Sequence, residues 1–235
     1  MTILVLSNTF DPHVAAVEIE LRKKGQQYLR LDTDTLDKRS SVRFAVGPSP
    51  TPQVRISCGG QCLELSEITA VWYRRPELPA FSYWSSSDAR QFARHETQAV
   101  IDNLVALLDL QGVRWLSRPE AIRRAGNKIR QLADARQLGF EVPPTLVSRD
   151  SDEIREFAGN HANTIAKLVS KGVPRTPNIE DQYTVFTTLL SAVDLANDAK
   201  LAACPAQYQL YVEKAFEVRV TVVGSRVLAC RIDSQ

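Results

Sequence analysis

The first 31 residues constrain the fold more strongly than any other stretch of the chain. Thr2 to Ser7 is a short apolar run, which is typical of a strand buried on both faces. A helical pattern follows and ends at two lysines and Gly25, and a second strand is predicted from Tyr28 to Leu31. Because a crossover helix joins strands that run in the same direction, this region predicts an α/β fold with a parallel sheet.

The loop after the first predicted strand lies at the carboxyl edge of that sheet, where α/β folds usually bind ligands. Its sequence, Asn8 to His13, contains no Gly-x-Gly-x-x-Gly, so a dinucleotide site is disfavoured. A turn followed by a helix cap is the favoured interpretation, and a ligand-binding loop stays open as the alternative.

Another buried strand is predicted from Ile68 to Tyr73, and two arginines, Arg74 and Arg75, follow it directly. Guanidinium groups beside aromatic rings suit a carboxylate or a phosphate. Pairing of these arginines with Asp32 or Asp34 is the slightly favoured alternative. Residue chemistry alone therefore assigns them no role.

The remaining patterns divide the chain into three regions. Residues 42–65 alternate and are interrupted by prolines and glycines, which predicts a small antiparallel meander. Residues 85–88 cap a long amphipathic helix that extends to about Leu110. Further along, a strand is predicted from Val142 to Val147 and a helix from Val193 to Lys200. The predicted boundaries are 1–117 for a first α/β domain, 118–205 for a central domain, and 206–235 for a hinge with the strands after it.

Composition excludes several classes of partner. The 29 basic and 27 acidic residues give a formal charge of +2, so no electrostatic argument supports a nucleic acid or an anionic membrane. No apolar run approaches the ~20 residues that a membrane helix needs. The four cysteines lack metal-binding spacing, and free thiols in a reducing cytoplasm are favoured over a disulfide between Cys58 and Cys62. We therefore expect a cytoplasmic protein that binds neither nucleic acid nor membrane.

The last quarter of the chain carries an unusual set of polar residues. Residues 217–223 and 227–232 are rich in β-branched side chains and flank Gly224, which predicts a β-hairpin. The polar side chains crowded into this hairpin and the segment before it are Gln209, Glu213, Lys214, Glu217 and Arg219. Charges in such strands are costly unless they pair with one another or with a ligand. Glu217 and Arg219 are two residues apart on one face, so an ion pair between them is the alternative to a binding site.

This segment resembles the nucleotide hinge and the following strands of ATP-grasp carboxylate–amine ligases, through Gln209 to Val212, Glu217 to Arg219 and Val222 to Gly224. The longer run from Tyr211 to Gly224, together with Trp72-Tyr73-Arg74-Arg75-Pro76, is most similar to the graspetide (microviridin-type) peptide ligases. Those enzymes close ester or amide links between side chains of a ribosomally made precursor peptide. The resemblance implies a pre-ATP-grasp α/β domain followed by an α+β ATP-grasp region. It also implies ATP and Mg²⁺ as cofactors, a precursor peptide with leader and core as the partner, and a homodimer.

The same resemblance implies roles for individual residues. Those that it places at the nucleotide are Lys128, Lys167, Gln209, Leu210, Tyr211, Val212 and Glu217. The backbone at Leu210 and Val212 would contact adenine, Glu217 would contact the ribose, and the lysines would hold phosphates. Arg219 would be catalytic, because it would stabilise the transferring phosphoryl group or the acyl-phosphate.

Lys167 is also supported by its own sequence context. It lies inside the apolar run 164–169, and a lysine with buried neighbours needs an anionic partner. Lys128 by itself would be a solvated helix residue, and only the resembling segment around it favours a phosphate role. We expect Lys128, Lys167 and Arg219 to converge on one cleft shaped for a triphosphate, covered by a loop over residues 170–182.

The magnesium ligands of the resembling family are missing from this sequence. ATP-grasp ligases carry an acidic residue and a Glu-x-Asn set on later strands, and oxygen ligands are what Mg²⁺ requires. We assign no metal ligand within the chain, expect these ligands beyond residue 235, and expect the 235 residues alone to be an inactive, incomplete ATP-grasp region. The first alternative is an incomplete ATP-grasp protein that binds a precursor peptide or a partner subunit. The second is an ATP-grasp ligase that acts on a small amino acid or a protein tail.

Overall fold

A computed structural model describes residues 2–48, 51–170 and 186–233. The chain divides into two compact units, Met1–Arg124 and Ala125–Gln235. The division falls after Arg124, whereas the sequence predicted the end of the first domain near residue 117. Each unit has its own sheet and its own hydrophobic core.

The first unit alternates strands and helices at its start and its end and contains a meander in between. In chain order its elements are β1 (Thr2–Ser7), α1 (Pro12–Lys23), β2 (Gln27–Asp32), β3 (Ser40–Ala45), β4 (Gln53–Cys58), β5 (Gln61–Glu64), β6 (Ile68–Tyr73), α2 (Ser87–Gln111), β7 (Arg114–Leu116) and α3 (Pro119–Ala125), which ends at the boundary. The predicted strands, α1 and α2 are all present, with ends that differ from the predictions by one or two residues.

The predicted parallel sheet is confirmed. Its strand order is β2-β1-β6-β7, and all three neighbouring pairs are parallel. Because β1 has neighbours on both sides and is covered on both faces, it can be almost entirely apolar. The predicted meander is also confirmed as an antiparallel sheet in the order β3-β4-β5.

The core of the first unit forms where α2 packs on the parallel sheet. Leu104 and Leu108, one helical turn apart on α2, are fully buried together with Leu4 and Leu6 of β1. Each such leucine contributes about 2 kcal/mol through burial. Ser86 caps the first turn of α2 by accepting a hydrogen bond from the Ala89 N–H.

The loop after β1 is a turn and a helix cap, as the favoured interpretation predicted. Asp11 Oδ1 accepts a hydrogen bond from the His13 N–H at 2.9 Å and so caps α1. Asn8 Oδ1 accepts from the Phe10 N–H at 2.9 Å, which closes the turn. The Asn8 amide nitrogen donates to the Arg75 carbonyl at 2.7 Å and so ties this loop to the segment after β6.

The predicted partners of Arg74 are wrong. Its Nε lies 2.9 Å from Asp11 Oδ2, whereas Asp32 pairs with Arg30 at 2.8 Å and Asp34 accepts a hydrogen bond from the Thr9 N–H. The strand order explains the difference, because β6 lies next to β1 and the end of β6 therefore meets the loop after β1. All four cysteines are free, as expected.

The second unit begins with a helix and continues through an antiparallel sheet into a hairpin. In chain order its elements are α4 (Lys128–Gln137), β8 (Thr145–Ser148), α5 (Ser151–Asn160), β9 (Thr164–Lys167), β10 (Thr188–Leu189), α6 (Ala192–Leu195), α7 (Asp198–Leu201), β11 (Ala206–Leu210), β12 (Glu217–Val223) and β13 (Arg226–Ile232). The sheet has the order β10-β9-β11-β8, and its neighbouring pairs are antiparallel. Tyr208 of β11, Ile154 of α5 and Leu201 of α7 form the core on one face.

Two predictions for this unit need correction, and one falls outside the described residues. The strand predicted from Val142 starts only at Thr145, because the two prolines before it lack an N–H for the ladder. The helix predicted from Val193 to Lys200 is split into α6 and α7, because Asn197 accepts a hydrogen bond from the Lys200 N–H and caps a new helix. The predicted covering loop lies outside the described residues from position 171 onward.

The predicted hairpin is confirmed. β12 and β13 pair from Glu217 opposite Ile232 to Val223 opposite Arg226, and Gly224 has a positive φ of 60° in the turn. All residues of both strands are exposed, including several valines. In the described ranges, no helix combines the length and hydropathy that crossing a bilayer requires.

Candidate functional site

One cavity in the second unit contains most of the predicted nucleotide-binding residues. Its volume is about 820 Å³, which lies in the range of small-molecule sites. The residues that line it are Asn163, Ile165, Lys167, Thr187, Leu189, Gln209, Leu210, Tyr211, Val212, Lys214 and Glu217. The structure therefore brings together six of the eight predicted site residues, and the two outside this lining are Lys128 and Arg219.

One end of the cavity has aliphatic walls. Ile165 of β9 lies opposite Leu189 of β10 in the sheet register, and both side chains line the cavity with Leu210 and Val212 of the hinge. Side chains two residues apart on a strand share a face, so Lys167 projects to the same side as Ile165. The apolar ring of a ligand that packs against these aliphatic side chains would therefore lie close to the Lys167 ammonium.

The hinge backbone only partly matches the prediction. The Leu210 N–H donates to the Pro144 carbonyl at 3.1 Å, and the Tyr211 N–H donates to the Asn163 carbonyl at 2.9 Å. These bonds fix the hinge against β8 and β9, and they remove the Leu210 N–H from the groups available to adenine. Among the described residues, the Val212 N–H has no backbone acceptor, so it remains suited to that contact.

The cationic end contains more ammonium groups than carboxylates. Lys167 Nζ donates to Gln209 Oε1 at 2.7 Å, and Lys214 forms an ion pair with Glu217. Burial lowers the pKa of Lys167 below its ordinary value of 10.5, and the positive charges of Lys128 and Lys214 lower it further. Glu217 is the one carboxylate among the described residues that line the cavity, so an anionic ligand would relieve an excess of positive charge.

Lys128 lies close enough to act on the charge of Lys167. It starts α4 after the cap Asn127, and its Nζ donates to the carbonyls of Leu168 and Ser170, at 3.1 Å for the latter. These contacts place Lys128 beside the segment that follows β9. Of the three cations predicted to converge, the structure brings Lys128 and Lys167 together.

Arg219 is not among the described residues that line the cavity. It lies on β12 opposite Cys230 and is exposed. The proposed alternative, an ion pair with Glu217, competes with the pair that Glu217 forms with Lys214. The catalytic role of Arg219 stays a prediction.

Lys214 was recognised in the sequence as part of the polar set but was not assigned to the site. Its spacing of three residues from Glu217, across the turn before β12, was the available signal. Thr145 gave no such signal, because its contact with the Gln209 amide at 2.8 Å joins residues far apart in the sequence.

A buried polar atom without a hydrogen-bond partner among the described residues lies on the strand beside Lys167. Gln207 lies opposite Lys167 in the ladder and is 4% exposed, yet its Oε1 has no hydrogen-bond partner among the described residues. Buried polar atoms in native proteins are nearly always satisfied by protein, water or ligand. The excess of ammonium groups, the aliphatic slot and the Glu217 carboxylate together fit a nucleoside triphosphate.

The described residues do not form a magnesium site. Within the part of the chain that the structure describes, no three His, Cys, Asp or Glu side chains are grouped so as to hold a metal ion. Magnesium requires several oxygen ligands in near-octahedral geometry, and Glu217 alone does not supply them.

A second cavity, of about 770 Å³, lies in the first unit along the open edge of β2. The charged groups that line it are already satisfied. Arg22 Nε donates to the Tyr28 hydroxyl at 2.8 Å, and Arg30 pairs with Asp32 and with Glu18. Both lining arginines therefore already have hydrogen-bond partners within the first unit.

Comparison with known proteins identifies the family of the first unit. Residues 2–123 match the family described as the MvdD pre-ATP grasp domain, which is more than half of the 235 residues. The chain belongs to this family. No protein with a curated description matches the chain in sequence.

Solved structures extend the similarity over the whole chain. The macrocyclase MdnC bound with precursor peptide MdnA, from Microcystis aeruginosa MRC, is 29% identical with a TM-score of 0.89, and the match covers 100% of this chain and 75% of that one. The macrocyclase MdnB from the same organism is 26% identical with a TM-score of 0.83, with coverage of 100% and 75%. The RiPP-associated ATP-grasp ligase of Chryseobacterium gregarium, in complex with ADP and a leader and core peptide, is 25% identical with a TM-score of 0.82, with coverage of 100% and 69%. These similarities confirm the predicted resemblance to peptide-modifying ATP-grasp ligases and the predicted α/β fold class.

Proposed function

We propose that this chain is the nucleotide-binding part of an ATP-dependent ligase that forms side-chain ester or amide crosslinks in a ribosomally made precursor peptide. One observation carries the proposal: among the described residues, the cavity is lined by aliphatic side chains, two lysines and a single carboxylate, and the charge of Lys128 outside the lining also acts on Lys167. The similarity to MdnC, which is bound with a precursor peptide, supports the peptide substrate. The similarity to the Chryseobacterium gregarium ligase, which is in complex with ADP, supports the nucleotide.

The lining residues suggest how ATP would be held. Adenine would lie between Ile165 and the hinge, with the Val212 N–H as a donor, and Glu217 would accept from the ribose hydroxyls. Lys167 and Lys128 would neutralise the phosphates, because a long cationic side chain can meet several phosphate oxygens. Mg²⁺ would enter with ATP and neutralise further phosphate charge, and we assign it no ligand among the described residues.

The chemistry would consist of two substitutions. A peptide carboxylate attacks the γ-phosphorus of ATP, the bond to the β-phosphate oxygen breaks, and ADP leaves. A hydroxyl or amine of the same peptide then attacks the acyl-phosphate, which releases phosphate and a proton. Positioning and charge neutralisation supply most of the acceleration in such reactions. We propose that the lysines hold the phosphates in place and that Arg219 stabilises the transferring group.

The proposal is tested by calorimetric titration of ATP and ADP into the chain, with Lys167→Met as the informative variant. We expect saturable binding with one nucleotide per chain and a loss of affinity of about tenfold or more in the variant. A homodimer, if it forms, would preserve this stoichiometry. Absence of binding to the wild-type chain would refute the nucleotide site.

A further inference from the structure

A row of hydrogen bonds crosses three strands beneath the cavity. Lys167 Nζ of β9 lies 2.7 Å from Gln209 Oε1 of β11, and Gln209 Nε2 lies 2.8 Å from Thr145 Oγ1 of β8. Thr145 Oγ1 in turn lies 2.9 Å from the Pro143 carbonyl. The row therefore runs from the ammonium to a backbone carbonyl at the start of β8.

The chemistry of the end groups gives the row one direction. A protonated lysine only donates, so the atom that faces Lys167 must be the amide oxygen of Gln209. The amide nitrogen then donates to the Thr145 hydroxyl, which in turn donates its own hydrogen bond to the Pro143 carbonyl. Each polar atom in the row is matched, and reversing the amide would place two donors face to face.

The sheet register keeps these groups in place. β11 is an inner strand, and Gln209 lies opposite Thr145 on one side and opposite Ile165 on the other. The Gln209 side chain has little freedom, since the residue is only 6% exposed. Because the Thr145 hydroxyl donates its proton to the Pro143 carbonyl, it can only accept from Gln209, so it fixes the amide from the side opposite Lys167.

We propose that Thr145 is a positioning residue for nucleotide binding, because its hydroxyl orients the Gln209 amide and thereby holds the Lys167 ammonium in the cavity without neutralising it. An amide acceptor is suited to this task, since a carboxylate in its place would cancel the charge that a phosphate needs. Gln209 then acts through Lys167 rather than on the nucleotide. This inference rests on the proposed function for its purpose, although the row of bonds exists without a ligand.

The surrounding charges make the orientation matter. Among the described residues, the charged groups that face Lys167 are Lys128 from α4 together with Lys214 and Glu217 from the hinge and β12, and the lysines disfavour its protonated form. A correctly oriented amide oxygen offsets part of that repulsion. An amide that turned its nitrogen toward Lys167 would add to the repulsion.

The direct test measures the pKa of Lys167 in the nucleotide-free full chain, by NMR of lysines labelled with ¹³C at Cε. Lys167→Arg assigns the signal. We expect Thr145→Val to lower this pKa further, Thr145→Ser to leave it unchanged, and Gln209→Glu to raise it. The inference is overturned if Thr145→Val leaves the pKa at its wild-type value, if Ser and Val behave alike, or if Gln209→Glu does not raise it.

The second test measures ATP affinity in the same variants. We expect Thr145→Val to weaken binding by about fivefold, as the loss of one aligned hydrogen bond implies, and Thr145→Ser to stay within about twofold. Gln209→Glu should also weaken binding, because the new carboxylate neutralises Lys167. The two variants therefore both lower ATP affinity, although they shift the pKa of Lys167 in opposite directions. Equal affinity in Thr145→Val and the wild type would contradict the inference.

The experiments distinguish failure of the proposed nucleotide site from failure of the proposed role of Thr145. If the wild-type chain binds no nucleotide, the proposed function fails, while the order of the pKa values still decides the role of Thr145. If Thr145→Val does not fold, Thr145→Ala, which also removes the hydroxyl, replaces it in both tests, with Thr145→Ser as the variant that keeps the hydroxyl. Circular dichroism and thermal melting of each variant establish that it is folded.

Discussion

The carboxyl edge of the parallel sheet and the cavity of the antiparallel sheet both collect charged side chains, but they balance them differently. At the carboxyl edge, Arg30 pairs with Asp32 and Arg74 pairs with Asp11. At the cavity, the two lining lysines and the nearby Lys128 are accompanied by one carboxylate among the described lining residues. Paired charges at a buried edge hold loops together. Unbalanced charge is costly unless a ligand supplies the missing counter-charge. The comparison separates a structural cluster from a binding site.

The largest effect is expected from Lys167→Ala. We expect ATP affinity to fall about thirtyfold, or ~2 kcal/mol, because a charge-assisted contact to phosphate is lost. Lys23→Ala is the matched control, since it makes the same charge change at a side chain that is 65% exposed on α1. Calorimetry should show the control within about twofold of the wild type. Unchanged affinity in Lys167→Ala would remove this lysine from the site.

Asp11→Asn should have the next largest effect, on stability rather than on binding. We expect a loss of about 1.5 kcal/mol in the free energy of unfolding, because Arg74 loses its counter-charge while the asparagine can still cap α1. Urea denaturation measures this loss, and Asp88→Asn at an exposed position is the control. If Asp11→Asn weakened ATP binding instead, the distinction between the two clusters would be wrong.

Lys214→Met should have a smaller effect on the cavity. The side chain is 39% exposed, so solvent screens much of its charge. We expect ATP affinity to fall about threefold and the pKa of Lys167 to rise, since one of the charges that lower it is removed. Lys214→Arg keeps the charge and should preserve both quantities. A pKa of Lys167 that does not respond would show that the two groups are not coupled.

The smallest effect is a dependence on pH. The pKa of Lys167 is lowered in the folded chain, so between that pKa and 10.5 the unfolded chain binds more protons. In this window the contribution of Lys167 to stability therefore rises with pH, while ATP affinity falls as the ammonium is lost. Subtracting the profiles of Lys167→Met isolates both trends. If the contributions of Lys167 to stability and to ATP affinity changed in the same direction with pH, its assignment as a phosphate-binding lysine with a lowered pKa would be contradicted.

Local patterns predicted the elements well, because their signals lie within a few residues. The apolar run of β1, the cap of α2 at Ser86 and the Gly224 turn of the hairpin each follow from neighbouring residues. Lys167 was found because a lysine in an apolar strand is unusual. These features required no knowledge of which strands become neighbours.

The contacts between distant strands could not be predicted in this way. The pairing of Arg74 with Asp11 depends on the order β2-β1-β6, and the contact of Thr145 with Gln209 depends on the register of β8 and β11. The resemblance assigned the backbone at Leu210 to adenine, and the bond of its N–H to the Pro144 carbonyl, which is also set by tertiary structure, could not be foreseen. Register and strand order decide which polar groups meet, and neither follows from periodicity.

The most direct measurement compares the affinities of ATP and adenosine for the wild-type chain by calorimetry at neutral pH. Adenosine fills the aliphatic slot but offers nothing to the ammonium groups. We predict that ATP binds at least about tenfold more tightly, since several charge-assisted contacts distinguish the two ligands, and that raising the salt concentration reduces the difference. Equal affinities for ATP and adenosine, or a difference that salt leaves unchanged, would contradict the claim that unbalanced lysine charge makes this cavity a triphosphate site.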